Sequence, residues 1–177
     1  METTPTSEVS IRSATADDAS AVLEIYGPAI EQTTATFETE VPSEGEIRER
    51  ITRALATHAW LVAESAGHVG AYAYGGPHRS RNAYRFSAEV SVYVHPDYRR
   101  RGLARSLYEE LFTNLAARGY YHAFAGISAP NKASEELHQR LGFESIGVFK
   151  NVGLKFGRWH DVSWWQRKLR DGLPDLE

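Results

Sequence analysis

From Val90 to Arg105 the chain reads Val-Ser-Val-Tyr-Val-His-Pro-Asp-Tyr-Arg-Arg-Arg-Gly-Leu-Ala-Arg. Val90, Val92 and Val94 alternate with Ser91 and Tyr93, the period-two pattern of a β-rich strand. His95-Pro96-Asp97 ends it, because proline has no N–H to give to a ladder. From Leu103 the period lengthens: Leu103, Leu107, Leu111 and Leu115 recur every four residues, with Tyr108 and Phe112 beside them. The spacing predicts a helix to Arg118, closed by Gly119. Between strand and helix stand Arg99, Arg100, Arg101, Gly102, Leu103, Ala104 and Arg105. A turn there gathers unpaired backbone N–H groups, the positive end of a helix dipole and several guanidiniums, which suits a polyphosphate. Gly102 matters because a side chain would hold phosphates away from the amides. The bland alternative is a helix start with solvated arginines. A Walker loop needs Gly-x-x-x-x-Gly-Lys-Ser/Thr and a dinucleotide fingerprint needs Gly-x-Gly-x-x-Gly, and neither pattern is present in this stretch.

The remaining composition narrows the classes. With 177 residues, 42% of them hydrophobic, the chain predicts one compact α/β domain over 9–170, with tails at 1–8 and 171–177. A net charge of −3 gives no global field for nucleic acid, so no nucleic-acid partner is expected. There is no cysteine, which excludes a disulfide, a thiolate metal site and a cysteine nucleophile; no metal is expected. No apolar run reaches membrane-span length, and the first residues lack a signal-peptide pattern, so a cytoplasmic protein without a membrane partner is the expectation.

Taken in order, Val9 to Ala14 predicts a strand and Thr15-Ala16-Asp17-Asp18 a capping box before a helix in which Pro28 marks a kink or early end. A polar loop, Thr33 to Glu40, carries Phe37, which either covers the core edge or lines a pocket. Ser43-Glu44-Gly45-Glu46 is a second capping box. Trp60 to Ala63 and Val69 to Tyr74 read as a hairpin, broken at Gly75-Gly76-Pro77. The loop His78 to Arg85 then admits three readings: a nucleic-acid contact, a solvated loop, or an anion pocket built by Arg79 and Arg81 beside Glu89. Phe86 to Val94 and Tyr121 to Ile127 are buried strands, and Lys132 to Leu141 a helix closed by Gly142. Glu144 to Phe149 and Trp159 to Leu169 are the last strands, separated by a glycine-rich loop, Asn151 to Arg158. The order βααβββαβαββ predicts one mixed, twisted, mostly antiparallel sheet with helices on both faces.

The loop Arg99-x-x-Gly102-x-Ala104 between strand and helix resembles the pyrophosphate loop of the GNAT superfamily of N-acetyltransferases, which implies that fold and acetyl-CoA as co-substrate. Asn131-Lys132-x-Ser134-x-x-Leu137-His138-x-x-Leu141-Gly142-Phe143 is similar to the family's closing helix, with histidine where many members have tyrosine. Three longer stretches resemble the phosphinothricin and methionine sulfoximine acetyltransferase branch: Gly76-Pro77-x-Arg79-x-Arg81-Asn82-Ala83-Tyr84, Glu89-x-Ser91-Val92-Tyr93-Val94, and Gly157-x-Trp159-His160-Asp161-Val162-x-x-Trp165-Gln166. Two departures stand out: His78, where relatives acting on phosphinothricin tend to have tryptophan, and Ala104 for a glycine.

The resemblance implies acetyl transfer to the amine of a small anionic amino acid in a ternary complex. Glu89, a carboxylate interrupting an apolar strand, is the candidate base, and its alternative is a structural ion pair to Arg81 or Arg85. His138 takes by resemblance the role of acid to the leaving thiolate; a structural histidine is the other reading. Pantetheine would lie along Val92, Tyr93 and Val94, an N–H of Val92 or Tyr93 would polarise the thioester oxygen, and Asn131, Ser134 and Arg140 would hold CoA's far side. Arg79 and Arg81 suit the acceptor's oxyanion, with His78, Phe37, Tyr93 and Tyr108 around it. A homodimer is implied, Trp159, Trp164 and Trp165 serving such a contact. His160 reads as structural. Another small-amine acetyltransferase, or a CoA-binding sensor, remains as the alternative.

Overall fold

The computed structural model of the chain describes residues 9 to 174. The predicted tail 1–8 and the last three residues of the predicted tail 171–177 lie outside the described residues. In order come β1 (Val9–Ser13), α1 (Ala19–Gln32), α2 (Glu44–Thr57), β2 (Trp60–Ser65), β3 (His68–Pro77), β4 (Ser87–Val94), α3 (Leu103–Ala117), β5 (His122–Ser128), α4 (Lys132–Arg140), β6 (Glu144–Lys155) and β7 (Arg158–Lys168). The strands form one sheet in the order β1-β2-β3-β4-β5-β7-β6, antiparallel except for the parallel pair β4 and β5.

Alternation along the strands separates two cores. Leu61, Ala63, Ala71, Ala73, Ala88 and Val90 pack with Leu103, Leu107, Leu111 and Leu115 of α3. Their neighbours Trp60, Val62 and Tyr72 turn to the opposite face and meet Val22, Ile25 and Ile30 of α1 and Ile47 and Ile51 of α2. Both faces are covered, which is why these strands read as nearly continuous apolar runs. The predicted mixed sheet with helices on both faces is the observed one.

Both capping signals mark real helix starts. Ser43 Oγ accepts the Glu46 N–H at 3.2 Å while the Glu46 carboxylate accepts the Ser43 N–H at 2.7 Å. Asp18 accepts the Thr15 N–H at 2.7 Å and both guanidinium arms of Arg12 at 2.8 Å, which holds its carboxyl below the usual range.

Three sequence expectations need correction. Pro28 does not end α1, which runs on to Gln32. Gly75-Gly76-Pro77 does not break β3, which continues through Pro77 opposite Ala88. The reason is tertiary: a Cβ at Gly75 would lie 3.1 Å from the Leu115 side chain, so the glycine makes room for α3. The predicted glycine-rich loop 151–158 is mostly hairpin, since β6 and β7 pair down to Lys155 and Arg158. Its turn residues Phe156 and Gly157 have φ of 51° and 71°, the positive pair that a tight hairpin turn demands.

Candidate active site

β4 and β5 are paired only at Ser87/His122, Ala88/Ala123 and Glu89/Phe124, although β4 continues to Val94 and β5 to Ser128. Beyond Glu89 the sheet is split. Backbone direction along β4 is fixed by two hydrogen bonds: the Phe86 carbonyl accepts from Tyr121 on the β5 side at 2.8 Å, and the His95 N–H reaches the Gly70 carbonyl on the β3 side at 2.9 Å. Peptide groups alternate in direction along a strand, so those of Val92 and Val94 face the open wedge and that of Tyr93 faces β3. Of the two N–H groups expected to polarise a thioester oxygen, Val92's is the one turned toward the split. The Tyr93 ring packs on the other core, stacked on Tyr72 and edge-on to Tyr26.

At the far end of β4, His95 accepts the Asp97 N–H at its own Nδ1, and the chain turns through Arg99 to Arg101 into α3. Arg100 and Gly102 have φ of 60° and 79°, so successive amides curve into a concave nest at the helix start. A Cβ built at Gly102 meets nothing within 4 Å, which leaves the nest open outward. Arg99 and Arg100 are exposed, Arg101 lies over the Tyr98 ring at 4.9 Å, and Arg105 is drawn along the helix to Glu109 at 2.8 Å. Leu103 is buried and offers the site its amide alone, while Ala104 is half-buried. This is an anion seat of backbone N–H groups ringed by guanidiniums.

Asn131 caps α4, accepting the Ser134 N–H at 3.2 Å. Arg140 stands at the opposite end of that helix, roughly 12 Å further along its axis. There it lies 3.9 Å from Glu136 and lines a polar cleft of about 710 Å³ with His122, Gly142 and Gln166. The structure does not bring Arg140 to Asn131.

Glu89 points to the α1/α2 face, one position before the split. Burial pushes its carboxyl above the usual range, and Arg79 opposes that. His78 Nδ1 lies 3.5 Å from its Oε2 and Arg79 Nη1 3.8 Å. The ion pair weighed with Arg81 or Arg85 is not the observed one. Arg85 lies over Phe86 and donates to the Asn82 carbonyl, and Arg81 is exposed at the head of a short helical turn. The His78 ring is stacked on Phe124 at 4.2 Å and meets Trp164 edge-on, while Arg79 lies 5.6 Å over the Trp164 ring. Burial first, then Arg79, lowers the His78 pKa, so a neutral imidazole faces Glu89.

His138 is 3% exposed on the inner side of α4. Its Nδ1 lies 2.7 Å from the Ser134 carbonyl, which can only accept, so the ring proton is on Nδ1. Nε2 is left to accept from the Tyr108 hydroxyl, 3.3 Å away. Burial lowers the His138 pKa and favours this neutral form. Tyr108 is itself buried, stacked on Phe112 in the α3/α4 core, with burial raising its pKa. Phe37 sits on the other face of the sheet, over Gly153 and 6.1 Å from His160. The two residues expected to wall one pocket are thus on opposite sides of the sheet, and the split is what joins those sides. Trp165 is also in the α3/α4 core region, whereas Trp159 is 60% exposed. His160 is buried and donates from Nε2 to the Lys155 carbonyl at 3.0 Å.

Sequence reasoning missed Phe124 and Trp164 as plates for His78 and Arg79. Their alternation with Ala123, Ala125 and Trp165 was the available signal. It missed Lys155 entirely, having placed it in a loop.

Among the described residues no helix is long and apolar enough to cross a membrane, and no group of His, Cys, Asp or Glu is arranged to hold a metal ion. The family model of the acetyltransferase (GNAT) domain matches residues 11–164. The chain is 41% identical over 166 residues to phosphinothricin N-acetyltransferase of Streptomyces viridochromogenes, covering 94% of this chain and 91% of that one. It is 36% identical over 169 residues to the L-methionine sulfoximine/L-methionine sulfone acetyltransferase of Salmonella typhimurium, covering 94% and 99%. The phosphinothricin acetyltransferase of Sinorhizobium meliloti, solved with acetyl-CoA, superposes with a TM-score of 0.91 at 35% identity, covering 95% and 94%.

Proposed function

The chain belongs to the GNAT acetyltransferase family, and from that premise we propose that it moves acetyl from acetyl-CoA to the amine of a small anionic amino acid such as phosphinothricin or methionine sulfoximine. The observation that carries this reading is Glu89, a carboxylate with a raised pKa at the mouth of the β4/β5 split, flanked by His78 and Arg79.

In the proposed reaction the pyrophosphate of CoA takes the nest at residues 99–105, Asn131 and Ser134 border it, and pantetheine enters the split against Val92 and Val94. Hydrogen bonds to a charged group contribute roughly 1.5 to 3 kcal/mol each, and a few support micromolar binding, about −8 kcal/mol, after association costs. The amine must be neutral to attack. Glu89 stands about 10 Å before Val92 along the strand, so a water between carboxylate and amine relays the proton. The lone pair attacks the thioester carbon, the Val92 N–H stabilises the oxyanion, and as the C–S bond breaks the nitrogen's surplus proton passes through water to the departing thiolate. Without cysteine there is no cysteinyl acyl-enzyme, so both substrates meet in a ternary complex and double-reciprocal plots intersect. Parallel plots contradict this.

His138 acts as acid to the thiolate only as imidazolium, a form its burial disfavours; its neutral form holds the Tyr108 hydroxyl instead. The acceptor's oxyanion is held by Arg79 and Arg81. Replacing Arg81 with alanine raises the acceptor KM about 10- to 100-fold and leaves that for acetyl-CoA unchanged. If both rise together, the loop is not an acceptor pocket. Arg79 is the group that lowers the Glu89 pKa, so Arg79→Ala lets it rise and moves the acid limb of kcat/KM to higher pH. Both side chains are more than a third exposed, so solvent screening keeps the move small. A limb displaced to lower pH contradicts the arrangement.

We also propose a cytoplasmic homodimer. β6 is an edge strand, and on its hairpin with β7 Ile146, Val152, Leu154, Phe156 and Trp159 are each about half exposed or more. A second copy, bearing the same apolar strip, is the occupant this reading takes for it.

A further inference from the structure

The loop between α1 and α2 is fastened to strands remote from it in sequence. Lys155 Nζ, on β6, donates to the Thr36 carbonyl at 2.8 Å. The Ser128 hydroxyl, at the end of β5, donates to the Thr34 carbonyl. Next to the Thr36 tie the Phe37 ring covers Gly153 of β6, in the space a side chain there would need. His160 donates to the Lys155 carbonyl at 3.0 Å and so fixes the strand segment that presents the ammonium. Ser128 ends the strand that parts from β4, and Gly153 and Lys155 lie beyond β7. Residues 34–37 therefore run as a strap across the α1/α2 face of β5, β7 and β6, along the β5 side of the split.

The strap is connected to the face that carries Glu89. Thr36 Oγ1 is 2.8 Å from the Tyr26 hydroxyl, and the Tyr26 ring meets Tyr93 edge-on at 5.0 Å. Tyr93 shares its face with Glu89 by strand alternation. Glu38 completes the loop's fastening, accepting from Arg50 at 2.6 Å and from Tyr26 at 3.0 Å.

Stability alone does not explain the lysine. The residue is 4% exposed, and among the described residues no carboxylate lies within ion-pair distance of its ammonium. Burial lowers its pKa, with Glu38 opposing. A buried charge answered only by one carbonyl and by the face of the Phe156 ring, 5.1 Å away, is costly, and an apolar side chain of similar volume would cover Phe37 more cheaply.

We propose that Lys155 is a positioning residue for the acceptor: by holding the Thr36 carbonyl it sets residues 33–40 as the outer wall of the pocket facing Glu89, and so governs acceptor affinity without touching acetyl-CoA. The assignment rests on the acetyltransferase reading of that pocket. It is distinct from the arginine contacts, because Lys155 acts through the loop.

Lys155→Met, which keeps the stem and removes the donors, is compared with Lys155→Arg in the full chain. In Lys155→Met the acceptor KM rises about tenfold, the equivalent of one hydrogen bond to a charged group, while the acetyl-CoA KM stays within about twofold. Lys155→Arg recovers most of the difference. Amide hydrogen exchange, read without any substrate, speeds up about tenfold at residues 33–40 in Lys155→Met and is unchanged in α3. An unaltered exchange rate in the loop overturns the proposal, and so does faster exchange with an unaltered acceptor KM. Equal rises in both KM values overturn it as well, as a general loosening. If the unsubstituted enzyme acetylates no amino acid, the parent reading fails; intact turnover with unaltered loop exchange is the failure of this one.

Discussion

Glu89→Gln lowers kcat by about 10² to 10⁴ at neutral pH and leaves the KM for acetyl-CoA where it was. Glutamine keeps the size and the hydrogen-bonding reach of the side chain beside His78 and Arg79, so the pocket keeps its shape. What it loses is the ability to take a proton. Free α-amines are mostly protonated near neutrality, and only the neutral form attacks. Desolvation holds the Glu89 carboxyl above its ordinary range, which makes it a better base than an exposed carboxylate while leaving it ionised at alkaline pH. The deficit of the variant therefore narrows as the pH climbs toward the amine's own pKa, where the acceptor needs no base. Initial rates across that range check both statements. Unchanged turnover at neutral pH sinks the base assignment, and a deficit of constant size at every pH points to distortion of the pocket.

Gly102→Val acts at the other substrate. Gly102 has φ of 79°, a region that costs an L residue roughly 1 to 2 kcal/mol and a β-branched one more. The protein itself leaves the added group free space, so the fold survives with that loss. The isopropyl group instead occupies the seat where phosphate oxygens meet the amides. Losing two hydrogen bonds to a charged group, about 3 kcal/mol or more, raises the acetyl-CoA KM about 10²-fold. The acceptor KM changes little. Titration with CoA itself, followed calorimetrically, separates this from an effect on chemistry; wild-type affinity for CoA in the variant contradicts the phosphate seat.

The elements that periodicity marks strongly were legible. The valine strand, the leucine stripe of α3 and the two capping boxes are local signals, and the structure repeats them because nothing distant opposes them. The failures are tertiary. Glycine and proline at 75–77 read as a break, yet Gly75 is there for the Leu115 side chain. Glycines after Asn151 read as a loop, yet they serve a bulged hairpin whose turn needs positive φ.

The site divides along the same line. Glu89 stood out as a charge in an apolar strand, but its partners depend on which residue of the preceding loop follows the Gly76/Glu89 register, and that is set by pairing. Tyr108 belonged from the start to the leucine stripe; placing it at the acceptor required a side chain to leave the apolar face its own helix buries. Arg140 and Asn131 read together in the sequence, yet a nine-residue helix sets them at opposite ends, farther apart than one side chain reaches. Lys155 meets Thr36 across the whole fold, and no local pattern announces such a contact.

The central claim is most directly tested by thiol release from acetyl-CoA, measured with phosphinothricin, methionine sulfoximine, methionine sulfone, ordinary amino acids, polyamines and a peptide amine, each beside the Glu89→Gln variant. The account predicts rapid release with the small anionic amino acids, one acetylated amine per thiol, and its loss in the variant. Release with none of them, from a protein that still binds acetyl-CoA, contradicts the acceptor class and leaves a CoA-binding sensor as the reading of the site.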